Sequence, residues 1–470
     1  MTTSAYTAAP RSGERSLPLS EAFGRARSAA AALSVEADLE PILDGSPGTW
    51  RCILRRDGED LRTGLGLGKG SRDEARTGAL FEALEYWLCG VDGLDPAEIR
   101  LARGHTLAKG PLSRDIAVGL LGRVPDQSLS CLPYRSLAGA PDALVPLFLS
   151  MPEYLGAAGA RARRVAGDSY DYRAVGRYSV NNGWAAGADP VEAAVHAINE
   201  LIERDALSLL LIGQFLRERP ERLAVVDPAT LPDEVAALLT SAEAHTGRRV
   251  HLIDMTSDLG VPAYTAYLPA PHGQPARICG WGASLPRRYA VTRAVSELVQ
   301  PHSTMHLRER YAHLLPEQRD DTGPYPKLHA CSPSDLTTAL APAELRAYED
   351  TVAPDTPQGH LDRLLTVLRD HAFAVYRRDH HVTAGLAVVN VLVPGPERFT
   401  LVTDGQVVVP GARGMAARGR GRSTPAPSHR HRRRPGGGAA RRLRSGRRRR
   451  GPGRGRRPRQ QQRGDDRGRR

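Results

Sequence analysis

The segment 190–210 (PVEAAVHAINELIERDALSLL) limits the fold more than any other stretch of this 470-residue chain. On a helix turning about 100° per residue, Glu192, His196, Glu200 and Glu203 fall within about 80° of one another. Val195, Ile198, Leu201, Ile202 and Leu209 take the opposite side. The segment is therefore a long helix with one apolar and one acidic face. Two other predicted helices share the design. In Thr77–Cys89, Leu80, Leu84, Trp87 and Leu88 form a stripe while Glu82 and Glu85, at i and i+3, stand side by side. Around Val291–Gln300, Arg293, Glu297 and Gln300 align away from Val291, Val295, Leu298 and Val299.

An acidic stripe opposite an apolar one is ordinarily a solvated surface, but such surfaces are usually rich in Lys and Arg. None of these helices carries a lysine, and Arg204 and Arg293 are their only basic partners at i±4. Like charges stacked at i, i+3 or i+4 oppose a helix by a few tenths of a kcal/mol each, roughly. Glu200 on Glu203 and Glu82 on Glu85 make better sense if hard cations neutralise them. Magnesium prefers oxygen ligands and bridges carboxylates to substrate phosphates.

The remaining elements alternate. A helix is expected over Leu19–Leu33 and a strand over residues 49–56, and Gly64–Gly70, with glycine at every second position, reads as an interruption before a helix starting near Ser71. A Pro- and Gly-punctuated middle runs to about residue 178, with Leu144–Leu149 as a buried strand. Val250–Leu268 and Phe373–Val393 each read strand, polar turn, strand, which suggests a duplicated unit, and a helix is expected over Leu361–His371. Strands and helices interleave throughout, so the fold class is α/β or mixed α+β. Asp379, His380 and His381 read as a polar turn rather than a metal site, because adjacent strand side chains point to opposite faces.

The formal net charge of +13 is misleading. From Gly411 to Arg470 there are 23 arginines, no lysine and two aspartates, a net +21, and the remaining 42 basic and 50 acidic residues give −8. The expected organisation is a disordered N-terminus over 1–18, one domain over 19–413 and a disordered tail over 414–470. That tail is Arg, Gly and Pro with no aromatics, so it has no core to bury, and a frameshifted C-terminus would give the same composition. Nucleic-acid binding would rest on the tail alone, which lacks the aromatics of single-strand platforms, and is not expected. No window approaches the run of about 18 apolar residues of a membrane span, and no signal peptide is evident, so a cytoplasmic location is expected. The five scattered cysteines form no Cys-x-x-Cys pair and read as buried thiols.

Gly64–Ser71 (GLGLGKGS) imitates a phosphate loop but fails the Walker pattern. Gly70 stands where Ser or Thr must follow Lys69, and Thr63 where the first glycine must be. A conventional P-loop is excluded.

Taken in order, these pieces resemble the YcaO family over residues 60–413, about three quarters of the chain. The carriers are Gly68-Lys69-Gly70; Gly78-x-x-x-Glu82-x-x-Glu85-Tyr86, similar to Ser-x-x-x-Glu-x-x-Glu-Arg; and Asn182-Gly183-Trp184-Ala185-Ala186-Gly187 with Glu192 and Glu200-Leu201-Ile202-Glu203-Arg204-Asp205. Gly280-Trp281-Gly282-Ala283 with Arg293 to Gln300, and the Pro394-Gly395 and Val408–Gly411 stretches, complete the likeness. The resemblance implies a YcaO-type α/β fold whose ATP pocket is lined by carboxylate-bearing helices. It implies ATP and Mg2+ as cofactors, with Glu82, Glu85, Glu192, Glu200, Glu203 and Glu297 as metal ligands. Lys69, Asn182, Arg204, Arg293 and Gln300 would contact phosphates or nucleotide, and no catalytic residue is assigned.

The implied chemistry is phosphorylation of a peptide backbone amide, here azoline-forming cyclodehydration of a ribosomally made precursor peptide. Thioamide formation with a TfuA-like partner, or a non-catalytic peptide-binding scaffold, are the alternatives. A precursor peptide and a partner protein, E1-like and leader-binding or TfuA-like, are implied, and a homodimer is compatible. Gly78, Tyr86 and Ala188 depart from the usual Ser, Arg and Asn, each removing a polar contact near the nucleotide.

Overall fold

The computed structural model describes residues 13–124, 126–269, 278–305 and 320–417. Residues 1–12 and 418–470, most of the two segments expected to lack structure, lie outside the described residues. Helix α1 (Leu19–Ala32) precedes an antiparallel meander of β1 (Glu36–Leu43), β2 (Gly48–Arg56) and β3 (Glu59–Gly70), then helix α2 (Arg72–Leu88). Strands β4 (Arg100–Arg103), β5 (Ser128–Ser136), β6 (Ala143–Pro146) and β7 (Trp184–Gly187) follow, separated by short helical turns. Next come α3 (Pro190–Leu211), β8 (Ala224–Val226), α4 (Asp233–Thr246), β9 (His251–Asp254), β10 (Ala263–Leu268), β11 (Ile278–Ala283) and α5 (Arg287–Thr304). The remainder is β12 (Glu344–Arg346), α6 (Pro357–Asp370), β13 (Tyr376–Thr383), β14 (Leu386–Leu392) and α7 (Ala412–Ala417).

These strands make three sheets: β1-β2-β3; β11-β10-β9-β8-β12, in which only the β12–β8 pairing is parallel; and β4-β5-β13-β14-β7 with β6 beside β5. The chain is thus mixed α/β, as its pattern of elements indicates. The two strand–turn–strand stretches are both antiparallel pairs, β9/β10 in one sheet and β13/β14 in another. His380 and His381 lie within β13 rather than in a turn. A bulge carries the register from Asp379↔Val389 to His381↔Val388, and the His380 ring meets Trp184 edge-on at 5.1 Å.

The glycines of 64–70 do not interrupt structure; they belong to β3. Along a strand every second residue faces the same side, and here that side meets α2. A Cβ on Gly66 would stand 2.3 Å from the Ala79 carbonyl oxygen, and one on Gly68 would stand 1.7 Å from that of Ala75. Only glycine lets the two backbones approach so closely. The same device recurs at β11 and α5, where a Cβ on Gly280 would lie 2.1 Å from the Leu298 amide nitrogen. What the sequence presents as a phosphate-loop imitation is a packing surface.

Helices α2, α3 and α5 each follow a strand directly, and each also packs on the strand that leads into another of the three. Helix α2 touches β7, α3 touches β11, and α5 touches β3. This ring turns the three polar faces toward one another. The helix starts are fixed locally. Ser71 and Glu74 form a reciprocal capping box on α2, and Asp189 caps α3 with Pro190 in its first turn. On α3, Val195, Ile198, Leu201 and Ile202 are buried in the main core, while Val291, Val295, Leu298 and Val299 of α5 belong to a second core over the five-stranded sheet.

Gly13–Pro18, inside the stretch expected to be disordered, is packed. Glu14 is buried and accepts hydrogen bonds from Asn199 Nδ2 (3.0 Å) and from the Ser284 hydroxyl. At the other end α7 crosses the expected boundary at 413/414. Arg413 pairs with buried Asp205 (2.8 Å) and with Asp258 (2.6 Å), and the Gly411 and Gly414 amides donate to Glu397.

Candidate active site

The three polar faces enclose a cavity of about 540 Å³, within the size range of small-molecule sites. Of the residues singled out from the sequence, Lys69, Glu82, Glu85, Glu200, Glu203, Arg204, Arg293, Glu297 and Gln300 line it. Asn182 and Glu192 do not. Glu192 sits about two turns before Glu200, in the first turn of α3, where it accepts from Arg15 Nη1 (3.0 Å) and from the Ser16 amide (2.9 Å). Asn182 lies before β7, and its carbonyl oxygen accepts from Asn390 Nδ2 (3.3 Å).

The carboxylates are held in different ways. The Leu67 amide donates to Glu82 Oε2 and the Ala186 amide to Glu85 Oε2, both at 2.8 Å. Arg204 grips Glu200 through Nε (2.9 Å) and Nη2 (2.7 Å), and Lys69 pairs with Glu297 across from β3 to α5. Gln300 Nε2 donates to the Leu67 carbonyl (2.6 Å), tying the same two elements. Glu203 Oε2 is buried with no hydrogen-bond partner among the described residues.

Crowding these acids in a low-dielectric cavity disfavours their charge. Burial, then Glu200 and Glu82, push the Glu85 carboxyl up to about 8, against the Ala186 amide. Burial and Glu297 push Glu203 up to about 7, although Arg293, Arg204 and Lys69 oppose the shift. Glu82 is raised as well, chiefly by burial, with Lys69, the Leu67 amide and Tyr86 acting the other way. Tyr86, where an arginine is usual in the likeness described above, hydrogen-bonds Glu82 and is itself raised by that carboxylate and by burial.

This donor set suits magnesium. It is all oxygen, it contains an orphaned buried carboxylate oxygen, and it is short of neutralising charge. Among the described residues no three His, Cys, Asp or Glu side chains gather closely enough to hold a metal alone.

Arg15, His196, Tyr289 and Asp404 also line the cavity. Arg15 comes from a segment with no hydrophobic period, so nothing in the sequence marked it. His196 was on the acidic face but had no assigned role. A second cavity of about 670 Å³ adjoins, sharing Arg15, Gly70, Glu74, Tyr289, Thr292 and Ser296.

Residues 67–397 match the profile of the family described as YcaO cyclodehydratase, ATP- and Mg2+-binding. The chain belongs to the YcaO family. ATP and Mg2+ are the ligands of that family. Among curated relatives, an uncharacterized protein in the tfuA 3′ region of Rhizobium leguminosarum bv. trifolii is 28% identical over 243 residues, 49% of this chain and 52% of that protein. The chain thus spans about half the length of that relative. Among solved structures, YcaO from Methanopyrus kandleri bound with AMPPCP and Mg2+ superposes with a TM-score of 0.56 at 19% identity, covering 82% of this chain and 93% of that one. A heterocyclase in complex with substrate and cofactor gives a TM-score of 0.56 at 18% identity, covering 83% of this chain and 54% of that one. At such identities the likeness speaks to fold. Among the described residues no helix is long and apolar enough to cross a membrane.

Proposed function

We propose that this YcaO protein uses Mg2+ and ATP to activate backbone amides of a precursor peptide, forming azolines by cyclodehydration. The observation that carries the reading is the convergence of Glu82, Glu85, Glu200, Glu203, Glu297, Arg204 and Arg293 from three separate helices, with Lys69 from β3, in one cavity. A solvated surface would not bury Glu203 or leave one of its oxygens unpartnered among the described residues.

Magnesium, when bound, would supply the positive charge that lets these acids ionise together beside phosphate. Carboxylates drawn from Glu82, Glu85, Glu200, Glu203 and Glu297, one or two to an ion, would hold magnesium ions, whereas Glu192 in this reading braces Arg15 and the N-terminal segment instead of serving as a metal ligand. Arg204, Arg293 and Lys69 orient phosphate oxygens and stabilise charge that grows on them, which is the main source of acceleration in most phosphoryl transfers. In the reaction, a Cys, Ser or Thr side chain of the peptide adds to the preceding carbonyl carbon. The resulting oxyanion takes the γ-phosphoryl group of ATP, releasing ADP. The C–O bond then breaks as the amide nitrogen forms the C=N bond, inorganic phosphate leaves with the former amide oxygen, and the side-chain and amide protons pass to solvent.

A specific observation favours a second reading. The relative in the tfuA 3′ region points to thioamide formation with a TfuA-like partner. There a sulfur donor, rather than a side chain of the peptide, adds to the activated carbon. Incubation with the precursor peptide and partner encoded nearby, followed by mass spectrometry, separates the two. Loss of about 18 Da per site indicates azoline and gain of about 16 Da indicates thioamide, since each exchanges the same activated oxygen differently. An unchanged mass, with all components present and ATP bound, would overturn both and leave a peptide-binding scaffold.

A further inference from the structure

Lys69, Arg204 and Arg293, which line the cavity among the carboxylates, are held in different ways. Arg204 is paired with Glu200 and Lys69 with Glu297. Arg293 makes no ion pair among the described residues; its Nη1 lies 3.0 Å from His196 Nδ1. A guanidinium has donors only, so a hydrogen bond at this distance requires a bare Nδ1 lone pair and puts the imidazole proton on Nε2. A protonated imidazole would present a donor to a donor, so the contact itself demands the neutral ring. The surroundings enforce the same state, since burial, Arg293, Arg15 and Lys69 all hold His196 well below the ordinary histidine range.

An arginine oriented by a carboxylate is well placed but electrostatically spent, because the pair is nearly neutral to an approaching anion. An arginine with no partner keeps its charge but not its direction. A neutral acceptor gives direction and leaves the charge intact. Resting on the reading of this cavity as the nucleotide site, we propose that His196 is a positioning residue that aims the Arg293 guanidinium at the phosphate oxygens of the nucleotide without engaging it in a direct ion pair. Helix α3 supplies the imidazole and α5 the guanidinium, so the contact also joins two of the three helices at the point where phosphate would lie.

The test uses the full-length protein with His196→Ala, His196→Asn and His196→Glu, each with its unfolding midpoint measured. Asn places an amide oxygen near the position of Nδ1 and restores a neutral acceptor; Glu restores an acceptor but adds a negative charge. Calorimetric binding of a non-hydrolysable ATP analogue with Mg2+ is read beside kcat and KM for ATP. His196→Ala is expected to weaken analogue binding roughly 10- to 100-fold, the worth of one hydrogen bond to a charged group. His196→Asn should recover most of that loss, and His196→Glu should not. A double-mutant cycle with Arg293→Ala should be strongly non-additive, because His196 acts only through that arginine. Equal affinity in wild type and His196→Ala, full recovery by His196→Glu, or additive losses in the cycle would each overturn the proposal. Absence of analogue binding by the wild type would instead remove the nucleotide-site reading, and this proposal with it.

Discussion

Loading the cavity with Mg2+ and nucleotide should expel protons, of which two carboxyls, Glu85 and Glu203, supply the share worked out below. Glu85 at about 8 and Glu203 at about 7 are partly protonated in the empty site, and cation binding requires their ionised forms. Simple titration gives a release of about two protons at pH 6, about 1.4 at pH 7 and about 0.1 at pH 9. Glu85→Gln removes the larger share of these two and should lower the release at pH 7 by about 0.9. Calorimetry of a Mg2+-loaded ATP analogue in buffers of different ionisation enthalpy reads this number directly. Comparing wild type with Glu85→Gln cancels whatever the nucleotide contributes. The same groups affect stability. Because the folded Glu85 keeps a proton that the unfolded chain loses above its ordinary value of 4.5, the empty protein loses stability as pH rises from there to about 8. The slope is at most about 1.4 kcal/mol per pH unit for this group. Nucleotide with Mg2+ should reverse that decline. Equal proton release by wild type and Glu85→Gln would refute the electrostatic reasoning.

Other outcomes follow from the same geometry. Glu200→Gln and Glu203→Gln should each lower Mg2+-dependent ATP turnover by at least about 10²-fold while circular dichroism stays unchanged; unaltered turnover in both would remove α3 from the nucleotide site. Arg413→Ala strips the cation from fully buried Asp205 and should cost about 3–5 kcal/mol in denaturant unfolding, whereas truncation after residue 417 should leave the midpoint unchanged. Gly68→Ala forces a methyl to within 1.7 Å of the Ala75 carbonyl oxygen and should cost about 1–3 kcal/mol or more; a neutral result would mean α2 does not lie as close to β3 as described.

The carboxylate helices were legible because each carries a full apolar stripe opposite its acids, a pattern that survives without any knowledge of neighbours. Their convergence was legible only through the YcaO likeness, since periodicity says which face is polar and not what it meets. Strand β3 escapes a reading by pattern because alternating glycines weaken strand propensity. Their purpose, to let α2 approach, depends on a tertiary contact invisible along the chain. Arg15 and Glu14 lie in a short segment whose order comes wholly from what it docks against, Glu192, Asn199 and Ser284. Glu192 shows the limit of helical periodicity: it shares the face of Glu200 and Glu203, yet a rise of about 1.5 Å per residue carries it beyond the cavity wall.

The central claim is that ATP is spent on a peptide amide oxygen, and the fate of that oxygen tests it most directly. A precursor peptide labelled with 18O at its backbone carbonyls would be incubated with the protein, its partner, Mg2+ and ATP, and the phosphate released would be analysed by mass spectrometry. The expected result is one 18O atom in the phosphate for each modified site, whether the product is azoline or thioamide. Phosphate that carries oxygen from water and none from the peptide would contradict amide activation and leave a nucleotide hydrolase in its place.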